Sequence, residues 1–433
     1  MTGLPADLGD GLVLRRGRPE DAGPLQDLAV EVFREEDGSV DEPVVAWMGE
    51  LLDGSHPVVT PDLFTIVEDT GNREIVSTLC LIPQEWAYSG IPFGVGRVEL
   101  VGTREAYRRR GLIRRQMDAV HAWSAGRGHL AQAITGIPWF YRQFGYDMAV
   151  DLGGGRSCRA DALPLAPDPD PWVVRPATAG DAGEIARIYD DGMERYLVTC
   201  RRSAGVWAFE LGGRAPGSAW SRPHLVVERD GRTAGVATYH RFSSDTVWLT
   251  LCEIDPSAGW RDGTLAVLRH LTGLLGEGER SRFTLRLAHG AVHPGAAALP
   301  DVLTETRRPY AWYIRVADLP AFLRRVAPVL EWNLSESPFA GHNGTLRINT
   351  YHGGFWIRLE DGALADAGEL APMHPEDGDA AFPDHSFLQL LFGRRSMDRL
   401  LEARPDCRAK DDAVAGLLDA LFPEAPSFVF ALA

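Results

Sequence analysis

The residues best suited to chemistry lie in the run Val98-Glu-Leu-Val-Gly-Thr-Arg-Glu-Ala-Tyr-Arg108-Arg-Arg-Gly111-Leu-Ile-Arg114. A strand pattern gives way to an arginine-rich loop with one glycine, and helical periodicity begins at once. The first N–H groups of a helix have no internal acceptors and carry the positive end of its dipole. A pyrophosphate placed there meets main-chain donors and guanidinium groups together. Gly111 lets the backbone approach without a Cβ in the way. The alternative is a basic helix start on a solvated surface, but three positive charges there oppose the dipole unless an anion balances them.

Such a loop needs a strand before it and a helix after it. Gly96 to Val101 reads as the strand, and Gly111 to Trp123 as the helix, with Leu112, Met117, Val120 and His121 on its stripe. Upstream, 63–67 and 75–82 read as paired strands with 69–72 as their turn. Downstream come a strand at 130–135 and a short helix near Trp139 to Phe144. This mixed order predicts an α/β layer fold.

In the stretch Leu163-Pro-Leu-Ala-Pro-Asp-Pro-Asp-Pro171 each proline removes a backbone donor and fixes φ, so it reads as a linker. The segment beyond this linker resembles the start of the chain. Leu12-Val-Leu-Arg15 is followed six residues later by Asp21-Ala-Gly23, and Val173-Val-Arg175 at the same distance by Asp181-Ala-Gly183. In each case the acidic residue is expected to cap an amphipathic helix. The helices present Leu25, Leu28, Ala29 and Val32 in the first and Ile185, Ile188 and Met193 in the second. The pattern implies a duplicated unit of roughly 150 residues. In the second unit the corresponding region, 247–264, has one arginine and places Asp262 beside Gly263. A carboxylate there repels pyrophosphate, so this unit reads as structural.

After Arg315 a third, α+β section is expected. It holds a helix at 319–329, a hairpin of 344–350 and 354–360, and helices at 386–403 and 411–422. The expected boundaries are 1–156, a linker at 157–172, 173–315 and 316–433.

Acidic residues outnumber basic ones by 60 to 44, for a net charge of -16. That balance argues against a nucleic-acid partner and is weakly compatible with a cationic substrate. Five scattered cysteines, with no CxxC pair and no His/Cys cluster at metal-ligand spacing, point to neither disulfides nor a zinc site. The start of the chain has no signal-peptide pattern, and no apolar run reaches membrane length. A cytoplasmic protein with no membrane partner is expected.

Arg108-Arg109-Arg110-Gly111-Leu112-Ile113 resembles the pyrophosphate loop of GNAT acyltransferases: Gln or Arg, two variable residues, Gly, one variable residue, then Gly or Ala. Ile113 departs from the small residue usual there. Trp139-Phe-Tyr141-Arg-Gln-Phe-Gly-Tyr146 resembles the segment by which many of these enzymes place a tyrosine beside the thioester sulfur. The three-part layout, with Phe387-Leu-Gln-Leu-Leu-Phe-Gly393 and Leu421-Phe-Pro423, is similar to the Eis (enhanced intracellular survival) type.

The resemblance implies an α/β (α+β) protein: tandem GNAT folds with a mixed central sheet, then a sterol-carrier-like domain. It implies acetyl-CoA or another acyl-CoA as co-substrate, and no metal. Main-chain N–H groups around Val101 and Thr103 would hold the thioester carbonyl, and Tyr141 would protonate the thiolate; Tyr141 also reads as a core aromatic. The base would be the terminal carboxylate of Ala433 or Glu99, which reads equally as a solvent-facing strand charge. Glu35, Glu36 and Asp37, with Asp41 and Glu42, fall where the family binds acceptors, or form a hydrated loop. Trp47 and Trp86 wall the pocket or belong to the core. The expected acceptor is a primary amine on an aminoglycoside, polyamine or lysine side chain, and the expected assembly is a homo-oligomer, with a hexamer one form. Other readings are an acyltransferase of secondary metabolism with another acyl group or an O-acceptor, and a non-catalytic acyl-CoA or lipid carrier.

Overall fold

The computed structural model describes residues 3–243, 245–275, 283–290, 292–371 and 374–432. Along β2 (Leu12–Arg16) burial alternates as the residue types do, with Leu12 and Leu14 inward. It pairs with β1 (Ala6–Gly9) and β3 (Phe64–Asp69), and β3 turns back into β4 (Glu74–Tyr88). The long antiparallel pair of β4 and β5 (Ile91–Thr103) forms the middle of the sheet. β6 (Ala131–Ile134) then runs parallel to β5, and β7 (Asp147–Leu152) forms the far edge. Helix α1 (Ala22–Val32) packs with α2 (Glu42–Leu52), and α3 (Leu112–Gly126) buries Met117 and Val120 with Leu79, Leu81 and Val98.

The second sheet repeats the theme, in the order β15 (Glu305–Arg307), β8 (Gly155–Arg159), β14 (Thr284–Leu287), β13 (Thr246–Ile254), β12 (Arg232–Ser243), β11 (His224–Arg229), β9 (Trp172–Pro176). Its helices include α4 (Ala182–Met193), α5 (Ala204–Gly212) and α6 (Trp260–Gly273). A third sheet is built on the expected hairpin, β17 (Gly344–Asn349) and β18 (Gly354–Glu360).

The sheets do not respect the expected boundaries. β8 holds residues 157–159, expected to be linker, yet it pairs with β14 and β15. β16 (Tyr310–Arg315), expected to end the second unit, lies between β6 and β7 of the first sheet. Ala311, Trp312, Tyr313 and Ile314 are all buried, so this strand reads as apolar on both faces. Such a run fits any sheet interior, and its periodicity does not say which. β10 (Val198–Cys200) likewise pairs with β4. One core therefore joins Trp86, Tyr88 and Phe93 of the first unit to Phe322, Phe355 and Leu391 of the third section.

The helix entries also differ from expectation. Asp21 and Asp181 do not cap their helices through the side chain. Asp21 takes both terminal nitrogens of Arg15 at 2.7 Å, while Arg15 Nε donates to Glu68 at 2.7 Å. Asp181 takes Arg175 at 2.8 and 3.0 Å, with Arg175 Nε on Glu228 at 2.8 Å. The duplicated Arg and Asp are thus a staple between strand and helix entry, because a planar guanidinium matches a carboxylate edge to edge. The helix expected over 386–403 is two, Phe387–Leu391 and Met397–Ala403. Gly393, with φ +63°, ends the first turn, and Gln389 O accepts the N–H groups of Arg394 and Arg395. Among the described residues no helix is long and apolar enough to cross a membrane.

Candidate active site

Two irregularities of β5 create the site. Opposite β4 the register passes from Cys80↔Glu99 to Thr78↔Gly102, so Leu79 faces two residues, and Leu100 has φ +53°. This is a β-bulge, which bends the strand and re-aims its main-chain groups. On the other edge, β5 pairs with β6 only through Val95, Gly96 and Arg97. Beyond Arg97 the two strands part, and a cavity of about 850 Å³ opens beside the end of β5. Glu99 to Thr103 line one side of it and Ile134 to Ile137 the other.

At one end of this cavity α3 begins. Gly111 precedes it with φ +73° and offers no side-chain cap. The first bond of the helix runs from Arg115 N to Gly111 O at 3.2 Å, so the N–H groups of Leu112, Ile113 and Arg114 have no acceptor in the helix. Arg108, Arg109, Gly111, Leu112 and Ile113 all line the cavity. Arg108 Nε donates to Thr103 O at 3.2 Å, which ties the loop to the bulged strand. Arg110 does not line it, contrary to expectation: its guanidinium lies 4.9 Å from the Tyr107 ring and donates to Ala106 O. After the left-handed turn at Arg109, the next side chain points away. Arg114 lines the cavity instead, donating to Gln143 Oε1 at 2.8 Å.

Val101, Thr103, Tyr141 and Glu99 all line this space. Tyr141 stands on a short 3-10 turn, Phe140–Phe144, and is 4% exposed. Its ring meets Phe140, Tyr146 and Tyr313 edge-on, so it belongs to the core as well as the cavity. Burial, together with the Glu99 carboxylate, pushes its pKa up, which keeps it a proton donor. Glu99 is no solvent-facing charge. Its Oε1 accepts from Arg97 Nε at 2.8 Å and lies 2.6 Å from Nη2. Burial pushes the Glu99 carboxyl up, and Arg97 offsets only part of that. Arg97 Nη1 donates to Leu432 O at 2.7 Å. Ala433 lies outside the described residues.

The acceptor residues fare less well. Glu35, Glu36 and Asp37 are exposed and do not line this cavity. They form a turn closed by an Arg34–Val40 bridge, in which Asp37 accepts from Ser39 N at 2.9 Å and Ser39 Oγ at 2.6 Å. Asp41 caps α2. Trp86 is core, 1% exposed, with Nε1 on Gln84 Oε1. Trp47 does line the cavity, together with Val32, Phe33 and Val44, so that mouth is apolar. Sequence reasoning missed Arg97, Arg114, Phe140 and Phe144. Its place three residues after Gly111, on the first turn of the helix, is the signal that could have found Arg114, while nothing in the sequence marks Arg97.

The second unit also holds an unexpected cluster. Glu253, His289 and His293 are buried with ligand-type atoms within 4.8 Å of one another. The spacing His289-x-x-x-His293 was the overlooked signal, correcting the expectation of no His cluster at metal-ligand spacing. Each imidazole accepts a main-chain N–H, His289 Nε2 from Cys252 and His293 Nδ1 from Gly295, both at 3.1 Å. A neutral imidazole has one lone pair, so the nitrogens left over carry protons rather than donate to an ion. Glu253 is bound by Arg195 at 2.5 Å. Among the described residues, the leftover nitrogens His289 Nδ1 and His293 Nε2 are buried with no hydrogen-bond partner, and the second lies 3.6 Å from Glu253 Oε1.

The fold and the open strand pair define the class: residues 14–149 match the family described as Acetyltransferase (GNAT) domain, whose members use acyl-CoA. Residues 14–149 are thus a GNAT acetyltransferase domain, and that domain supports N-acyl transfer. The chain's whole length is similar to a probable N-acyltransferase of unknown function from Enterococcus faecalis V583 (14% identity, TM-score 0.68, covering 96% of this chain and 98% of that one). A GCN5-related N-acetyltransferase from Kribbella flavida matches at 16% identity and TM-score 0.65, over 98% of both chains. Eis1 from Mycobacterium abscessus matches at 16% identity and TM-score 0.61, over 96% of this chain and 98% of that one. At these identities the likeness is one of fold, and it extends the Eis-like architecture over the whole chain. No curated protein matches the sequence.

Proposed function

We propose that the chain transfers an acetyl group from acetyl-CoA to a primary amine. One observation carries this reading: the open start of α3, the bulged edge of β5, Tyr141 and Glu99 all face one cavity. The donor set suits a nucleotide diphosphate, since the free N–H groups after Gly111 and the side chains of Arg108 and Arg109 belong to the lining of one cavity. When bound, acetyl-CoA supplies the activated thioester. Main-chain N–H groups at the bulge, around Val101 and Thr103, orient its carbonyl. Tyr141 gives its hydroxyl proton to the departing sulfur. Glu99 accepts the proton of the amine; a carboxyl raised by burial is a stronger base than an exposed one, and Arg97 fixes its orientation. The terminal carboxylate of Ala433 is the rival base, and the reading assigns no step to a metal.

For the acceptor, an aminoglycoside, a polyamine and a lysine side chain remain the proposed classes, supported by the net charge of -16. The apolar mouth at Val32, Phe33, Val44 and Trp47 supports a second reading, transfer of a larger acyl group. A sterol-carrier-like third section and a homo-oligomer are further proposals resting on the resemblance, and a cytoplasmic location is proposed beside them. The deciding experiment mixes the protein with acetyl-, propionyl- or octanoyl-CoA and one amine of each class, and follows free thiol. Amine-dependent release supports the reading. Release no faster than without protein reduces the chain to an acyl-CoA carrier.

A further inference from the structure

A second large cavity, of about 610 Å³, opens where the first and second sheets meet the last residues of the chain. Trp220, Trp248, Trp312, Phe428 and Phe430 supply much of its wall. Its charged lining consists of three guanidinium groups and two carboxylates. Arg394 donates to Asp151 at 2.9 Å, and Arg399 pairs with Glu424 at 3.3 Å, so four of the five charges cancel.

Arg222 is the remainder. Among the described residues it has no hydrogen bond or ion pair, and its Nε is buried without a partner. Its guanidinium carbon sits 4.5 Å from the centre of the Trp220 ring. Glu210 attracts it but is engaged by Arg202 and by Arg214 at 2.9 Å. Burial lowers the pKa of Arg222 to about 10, so it remains charged near neutrality. The two histidines of the wall add no charge there: burial brings His240 down to about 4 and His289 well below its usual value. A half-buried cation without a counter-charge is costly, and the cost is relieved when an anion enters.

We propose that this cavity binds a small aromatic monocarboxylate, its carboxylate on Arg222 and its ring among Trp220, Trp248 and Trp312. A carboxylate matches the planar fork of arginine. The wall offers one uncompensated positive charge, which suits a monoanion better than a phosphate monoester carrying nearly two negative charges. The tryptophans provide the apolar and edge-on contacts an aromatic body needs. This site is separate from the acyl-CoA cavity, and it does not depend on the acetyl-transfer reading.

Calorimetric titration of the full chain with phenylacetate and 3-phenylpropionate, against the matching neutral amides, tests the proposal. The carboxylates are expected to bind at least tenfold more tightly than the amides. Arg222→Gln should abolish that preference, and Arg222→Lys should keep part of it, with acetyl-CoA affinity unchanged in both as the check on folding. Equal affinity for carboxylates and amides, or an undiminished preference in Arg222→Gln, overturns it. So does a preference that emerges only after deletion of Leu432 and Ala433, because the terminus of the chain would then be the natural partner of Arg222.

Discussion

Arg97 divides one guanidinium between Glu99 and the end of the chain: Nε and Nη2 hold the carboxylate, and Nη1 holds the carbonyl of Leu432 at 2.7 Å. Gln84 Nε2 donates to the same carbonyl at 2.5 Å. The rings of Trp220 and Trp312 lie 5.0 and 5.3 Å from the Arg97 guanidinium, which is 1% exposed at its side chain. The position of the proposed base and the seating of the tail are therefore one mechanical unit.

Deleting Leu432 and Ala433 should accordingly lower kcat by tenfold or more, as should a tag fused beyond Ala433. Steady-state kinetics with a fixed amine provide the check, and undiminished kcat in both forms would separate the tail from catalysis.

Tyr141→Phe removes the proposed proton donor while keeping the edge-on ring contacts. Turnover should fall on the order of 10²-fold, the usual scale for a lost general acid. The dissociation constant for acetyl-CoA, measured by calorimetry, should move by less than twofold.

Glu99 acts as a base only when ionised. Burial raises its pKa in the folded chain, so activity should be lost on acidification at a higher pH than an exposed glutamate would give. The acid limb of the kcat/KM profile should vanish in Glu99→Gln along with most of the activity. Because the folded state favours the protonated form, this group adds stability below its unfolded pKa, and that contribution is lost as pH rises through the folded value.

Asp21 behaves in the opposite sense. Burial alone would raise its carboxyl, but Arg15 and the Arg18 N–H hold it below the usual range. Its contribution is present above the unfolded pKa of about 3.9 and disappears as pH falls through the lower folded value. Asp21→Asn should cost about 1.5–3 kcal/mol, the range for hydrogen bonds to charged groups, read as a lowered Tm. Asp181→Asn should cost less, because Arg175 is 36% exposed where Arg15 is 13%.

Gly111→Ala has open space around the new methyl but a φ of +73° to satisfy. The left-handed conformation costs a non-glycine residue about 1–2 kcal/mol. KM for acetyl-CoA should rise several-fold with a smaller change in kcat, and a reversed pattern would move Gly111 out of the binding loop.

The local elements were legible in the chain because periodicity, turn residues and the loop around Gly111 are properties of neighbouring residues. The strand, loop and helix from Gly96 to Trp123 appear as β5 and α3 nearly as read, and the repeated Arg15–Asp21 and Arg175–Asp181 spacing marks a real duplication of the staple. Tertiary structure alone decided which sheet received β16, since a strand buried on both faces fits either. It also decided that Glu99 is buried rather than solvated, because alternation along β5 stops being informative at a bulge. Arg97 and Leu432 are 335 positions apart, and Arg222 stands far in sequence from the tail that shares its cavity. Their meeting depends on how separated layers pack, and short-range spacing carries no record of that.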